Sequence, residues 1–226
     1  MTFDEIFEAY YTLYRAEATI PTDTDDEYTI ALRLANEALT RWANYDNTYW
    51  RNLFTTAVES GDVGTVTTGV ATYDAPEDFK EAGGNVKLLD SSGDLVQTYP
   101  ILFPHEAQFR NTQSTYAYFS GSPTEGYVLN LNPTPTSAEN GKTIEFDYYK
   151  SPTLYTTGSD VSEIPNAYFI VHRMLANRFR ASRNPYYEDA LRDAEDALKI
   201  MKMENDSGNW ARPWKVSDFS GTSWGQ

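Results

Sequence analysis

The apolar residues change their period twice along the chain, and that change constrains the fold more than any other feature. From Phe3 to Phe54 they recur at helical spacing. From about Gly61 they alternate in short runs of Thr, Val and Gly, and from Pro165 to Met201 the helical spacing returns. A stripe of period 3.6 cannot serve as a strand, so the pattern predicts an α+β protein with helices at both ends and an antiparallel β region between them.

Thr2, Phe3, Asp4 and Glu5 match a capping box, predicting a first helix from Phe3 to about Ala18 with Ile6, Phe7, Tyr10, Tyr11 and Tyr14 on its apolar face. Ile20 and Pro21 break it. A second capping box, Thr24 to Glu27, introduces a second helix bearing Ala31, Leu34, Ala35, Ala38, Leu39 and Trp42. This helix continues past Tyr45 to carry Trp50, Leu53 and Phe54 unless Asp46 and Asn47, both of low helix propensity, divide it. The expected strands are Thr65–Tyr73, Val86–Leu89, Leu95–Tyr99, Thr115–Phe119, Tyr127–Asn130 and Thr143–Tyr149, with Ser92, Gly93 and Asp94 as a hairpin turn. Pro165 is placed at the first position of a third helix with Ala167, Ile170, Val171, Met174, Leu175 and Phe179 facing inward. Asn184 and Pro185 open a fourth, with Tyr187, Ala190, Leu191, Ala194, Leu198 and Met201 on one face, ending near Asn205 to Gly208.

The organisation expected is therefore N-terminal helices over 1–60, an inserted β domain over 61–163, a C-terminal helical hairpin over 164–206 and an extended aromatic tail over 207–226. Each helix has one apolar face that needs a partner, so the two terminal pairs are expected to join in one bundle from which the β domain projects. The alternative is two independent domains. In the tail, Trp210, Trp214, Phe219 and Trp224 follow neither a helical nor an alternating period, which predicts that they are anchored by a partner rather than by this chain's own core.

Charge narrows the function. The formal net charge is −15, with 25 acids and 9 bases in residues 1–164 against 8 and 9 in residues 165–226. An acidic surface repels phosphate backbones, whereas a wall past which DNA must slide without sticking favours such a charge. The one basic patch is Arg173, Arg178, Arg180 and Arg183 around the end of the third helix. It reads either as complement to the helix dipole together with pairing to the acidic bundle, or as a contact with an acidic neighbouring subunit, with DNA contact third.

There is no cysteine, which removes disulfides and thiolate chemistry. The two histidines, His105 and His172, lie far apart without a nucleophile pattern, so neither a triad nor a histidine metal site is expected. Asp23, Asp25, Asp26 and Glu27 lack the order of a calcium loop and read as helix capping. Asp90 and Asp94 flank the hairpin turn, and a glycosidase pair is the less favoured reading of them. No catalytic residue, cofactor or metal is expected. No signal peptide and no membrane span is read from the sequence.

The stretch Tyr73, Asp74, Ala75, Pro76, Glu77, Asp78, Phe79 resembles a signature of phage head-to-tail adaptor proteins, with Tyr73, Asp74, Pro76, Asp78 and Phe79 carrying the likeness and Ala75 departing where leucine is expected. The order of elements, Ile164–Pro165 before the helical hairpin, and the rhythm of Tyr187 to Asn205 are similar to the same family. The resemblance implies a non-enzymatic virion protein: a homo-oligomeric ring of twelve copies in the neck, docked below the portal and receiving the tail or nozzle protein. In that arrangement DNA passes through the channel without specific binding, no membrane is involved, and Trp210, Trp214, Phe219 and Trp224 dock on the portal. Two other classes compete: a receptor- or carbohydrate-binding module, suggested by the many Tyr and Trp residues, and an acidic-site hydrolase.

Overall fold

The computed structural model describes residues 1–15, 20–58, 63–107, 110 and 114–207. In chain order its elements are α1 (Phe3–Arg15), α2 (Asp26–Ala43), β1 (Phe54–Val58), β2 (Thr72–Asp74), β3 (Phe79–Ala82), β4 (Val86–Leu89), β5 (Leu95–Tyr99), the one-turn α3 (Pro104–Ala107), β6 (Tyr116–Ser122), β7 (Gly126–Asn132), β8 (Thr143–Lys150), α4 (Tyr168–Ala181) and α5 (Tyr187–Ser207). Helices and antiparallel sheets make the protein α+β. The described residues fall into two compact units, one over 1–53 with 152–207 and the other over the intervening 54–151.

In the helical unit the first capping box forms: the Thr2 N–H donates to Glu5 Oε2 at 2.9 Å and the Glu5 N–H to Thr2 Oγ1 at 3.3 Å. Two further N–H groups that a helix start leaves unpaired, those of Phe3 and Asp4, donate to the carbonyls of Asp160 and Gly158 at 3.0 and 2.9 Å. A Cβ at Gly158 would force the Asp4 carboxylate to shift. Phe3, Ile6 and Phe7 are essentially fully buried, each contributing about 1.5–3 kcal/mol by removal from water. They share one core with Ala35, Leu39 and Trp42 of α2, Phe169, Ile170 and Met174 of α4, and Ala194, Leu198 and Met201 of α5.

The second capping box does not form. Asp25 is the residue before α2, its carboxylate accepts from the Thr22 N–H and hydroxyl at 2.7 and 3.0 Å, and Glu27 is engaged elsewhere. Nor does α2 run on to Phe54. Asp46 and Asn47 take φ of 48° and 50°, outside the helical region, and Trp50 folds back to donate its indole N–H to the Trp42 carbonyl at 2.8 Å. Phe54 then begins β1, ahead of the expected β start at 61. Helix α4 begins at Tyr168 rather than Pro165. Asn166 Oδ1 accepts the Tyr168 N–H at 3.0 Å, and Asn184 Oδ1 repeats the arrangement with the Tyr186 N–H at 3.0 Å before α5.

In the β unit, β8 is the hub of a five-stranded sheet. Its residues 145–149 pair with β1 on one side, while β4 and β3 share the other. A three-stranded sheet of order β2-β7-β6 supplies the second layer. Phe79, Val86, Leu88, Ile144 and Phe146 of the first sheet and Tyr73, Ala117, Leu129 and Leu131 of the second form one core. The expected Thr65–Tyr73 strand is reduced to β2, with Thr65 making only an isolated bridge to Thr143. The hairpin turn is as expected, with Gly93 at φ 85° and Asp90 Oδ1 accepting the N–H groups of Ser92 and Asp94.

Candidate functional site

The signature residues form a joint inside the β unit. Tyr73 on β2 donates its hydroxyl to the Val70 carbonyl at 3.0 Å and accepts the Thr67 N–H at 3.1 Å, closing the preceding loop. Asp74 is exposed and pairs in register with Val128. The Pro76 carbonyl accepts the Phe79 N–H at 2.9 Å, turning the chain from one sheet to the other. Asp78 Oδ1 accepts the Tyr148 hydroxyl at 2.8 Å, and Phe79 stacks on Phe119 at 4.3 Å and meets Phe146 edge-on at 6.1 Å. Phe79 thus packs the two sheets together, while Tyr73 and Asp78 brace the segments on either side of the turn. Ala75, where leucine is expected, packs against the β core.

The four arginines have different environments. Arg178 bonds Glu27 Oε2 at 2.8 Å, with both side chains mostly covered, and lies 5.3 Å from the centre of the Tyr14 ring. Burial opposes the Arg178 charge, yet hydrogen bonding to Tyr14 and the Glu27 carboxylate outweigh it, so its pKa lies above the usual arginine value. Tyr10 donates to the other Glu27 oxygen at 3.5 Å. Arg173 is half-buried, and burial together with the nearby Arg41 lowers its pKa. Arg180 and Arg183 are exposed. Arg183 occupies the turn between α4 and α5 at φ 54°, while the Asn184 N–H reaches back to the Phe179 carbonyl at 2.9 Å, a C-terminal cap in which glycine is the usual residue.

A cleft of about 770 Å³ opens in the helical unit, with Phe7, Ile20, Pro21 and Leu32 as its apolar wall and Asp4, Glu8 and Asp23 as its acids. Asp4 is held there by the Tyr28 hydroxyl at 2.7 Å. Asp160, beside the cleft, accepts from the N–H and hydroxyl groups of both Thr156 and Thr157 at 2.6–2.7 Å, which holds its carboxyl far below the usual range. The first of these partners, Thr156 and Thr157, had given no signal in the sequence, nor had Asn36, which binds the backbone of Tyr155 at 2.9 Å twice. Polar residues that clasp a linker backbone have no period to betray them.

Among the described residues no three acids or histidines are placed to hold a metal ion, and no described helix is long and apolar enough to cross a membrane. His105 is exposed and stacks on Phe103 at 5.6 Å, and His172 is half-buried on α4. The Asp90 carboxylate serves its own turn, and backbone hydrogen bonds from Asp94 and Ser92 lower its pKa. Stacking on sugars needs exposed rings on one face, whereas Trp42, Trp50, Tyr10, Tyr99 and Tyr155 are core. Trp210, Trp214, Phe219 and Trp224 lie outside the described residues.

Asn36, Asp78, Thr156, Thr157 and Asp160 thus serve as joints and clasps within the two units. No match was found among curated proteins. A family model described as SU10 adaptor protein matches residues 1–217, so the chain belongs to that family, whose members are structural phage head–tail adaptors rather than enzymes.

Proposed function

We propose that the chain forms a closed ring beneath the portal of a tailed phage, extends the DNA channel through the virion neck and presents the attachment site for the tail or nozzle protein. The family match over residues 1–217 carries this reading. Twelve copies is the number that the family resemblance implies, and the helices are read as a bundle that packs side by side with its neighbours. The strongly acidic charge of −15 suits a channel wall past which DNA slides.

In this reading Trp210, Trp214, Phe219 and Trp224 dock the ring on the portal, since tryptophan anchors are the residues that most often dominate such contacts. The test is reconstitution of purified protein on portal rings, followed by electron microscopy. Full-length protein is expected to add a ring of density below the portal, and a chain lacking residues 209–226 is expected to leave the portal bare while keeping its helix content. No added density with the full-length chain would overturn the proposal.

A further inference from the structure

In a chain with 33 acids and 18 bases, every arginine has carboxylates to choose from. Among the described residues, however, Arg41, Arg173, Arg180 and Arg183 form no ion pair with a carboxylate, whereas Arg33, Arg178 and Arg192 do. Arg180 and Arg183 are exposed at the corner where α4 turns into α5, and Tyr186, 64% exposed, stands beside them. Arginine and tyrosine are the residue types that concentrate binding energy in interfaces.

The backbone adds an independent observation. Arg183 sits in the left-handed region, which costs an L-residue with a Cβ about 1–2 kcal/mol that glycine avoids. An arginine at a position that glycine fills without strain points to work for the side chain, because strained residues cluster where function requires them.

A complementary surface lies on the same unit. Asp23 and Asp25, just before α2, and Asp26, its first residue, are exposed, and none of them forms an ion pair among the described residues. The Arg178–Glu27 bond places the end of α4 beside the start of α2, so the basic corner and the acidic connection share one end of the helical unit. Unlike patches at the same end allow each copy to meet the next with no rise along the helices. A heterologous contact of this kind forms a ring when the rotation between copies closes.

We propose that the α4–α5 corner, through Arg180, Arg183 and Tyr186, docks on the acidic α1–α2 connection, Asp23, Asp25 and Asp26, of a second copy of this chain. The proposal rests on the adaptor reading only in supposing a neighbouring copy.

The absence of cysteine makes the contact directly testable. Ser182→Cys marks the basic corner and Thr24→Cys the acidic connection, at exposed positions that leave every charge in place. Mixed under mild oxidation, the two chains are expected to cross-link about tenfold faster with each other than either with itself, and the preference should fade between about 0.05 and 0.5 M salt. Adding Arg180→Glu and Arg183→Glu to the first chain should abolish the preference, and adding Asp23→Lys and Asp26→Lys to the second should restore it. Circular dichroism of each variant separates these effects from misfolding. Equal hetero- and homo-cross-linking, or reversal without rescue, overturns the interface. So does retention of a DNA duplex that Arg180→Glu and Arg183→Glu abolish while cross-linking is unchanged. Portal attachment by a chain that fails to cross-link would sink this interface while leaving the adaptor reading intact.

Discussion

Asn36 on α2 holds the backbone of Tyr155 from both sides, its Nδ2 donating to the Tyr155 carbonyl and its Oδ1 accepting the Tyr155 N–H, each at 2.9 Å. Tyr155 is in turn buried against Phe3, 5.5 Å between ring centres. The segment that leads back from the β unit is thereby fixed to both N-terminal helices. Asn36→Leu keeps the size of the side chain but strands a donor and an acceptor, and is expected to cost about 2–4 kcal/mol. Urea unfolding followed by circular dichroism would show it, and a loss below about 1 kcal/mol would mean that water replaces both bonds.

Glu27 and Arg178 should behave as a coupled pair. Because both side chains keep some solvent contact, Glu27→Gln and Arg178→Met are each expected to cost about 1–3 kcal/mol, less than a fully buried pair would lose. The double variant should lose less than the sum of the two. Arg180→Ala, exposed and outside this network, is expected to change stability by less than about 0.5 kcal/mol.

Phe79→Ala removes the ring that joins Phe119, Phe146, Tyr127 and Tyr148. A loss of about 3–5 kcal/mol is expected. Near-ultraviolet circular dichroism of the tyrosines should fall before the helical signal at 222 nm. Simultaneous loss of both signals would show that the two units unfold as one.

Arg183→Gly should relieve the left-handed residue at the end of α4. A gain of about 0.5–1 kcal/mol is expected, because glycine's greater freedom in the unfolded chain offsets part of the relief. The same substitution should weaken association between copies. Stability and assembly would therefore move in opposite directions at one residue.

Alkaline pH should unfold the protein through its tyrosines. Burial raises the pKa of Tyr10, Tyr28 and Tyr155, and pushes Tyr149 up to about 12. Since the folded values exceed the ordinary value of about 10, the stability they represent is fully present below that pH and is lost as pH rises through the folded values. Absorbance at 295 nm should show these buried tyrosines ionising above the ordinary tyrosine value, together with loss of ellipticity. A single titration near that ordinary value would contradict the burial.

The helical stripes were legible because burial follows period: Phe3, Ile6, Phe7 and Tyr10 occupy the face that their spacing assigns. The break after α2 was legible only as an option. Asp46 and Asn47 have low helix propensity, but nothing in their neighbours says that Trp50 turns back to Trp42. The Tyr73–Phe79 signature announced a family and concealed its job, since the partners of Phe79 lie far along the chain on β6 and β8. The basic patch divided only in three dimensions, where Arg178 meets Glu27 from another helix and Arg180 meets no described carboxylate.

Phe54 and Tyr149, near the entry and exit of the β unit, face each other across the β1–β8 ladder, so their Cα atoms are about 5 Å apart. A chain that leaves a helical unit and returns to it through adjacent points is topologically a cassette. Its length can grow or shrink, or be exchanged by recombination, without the helices on either side having to be re-threaded. Residues 54–151 are thus free to vary as a block while the helical unit keeps its own core.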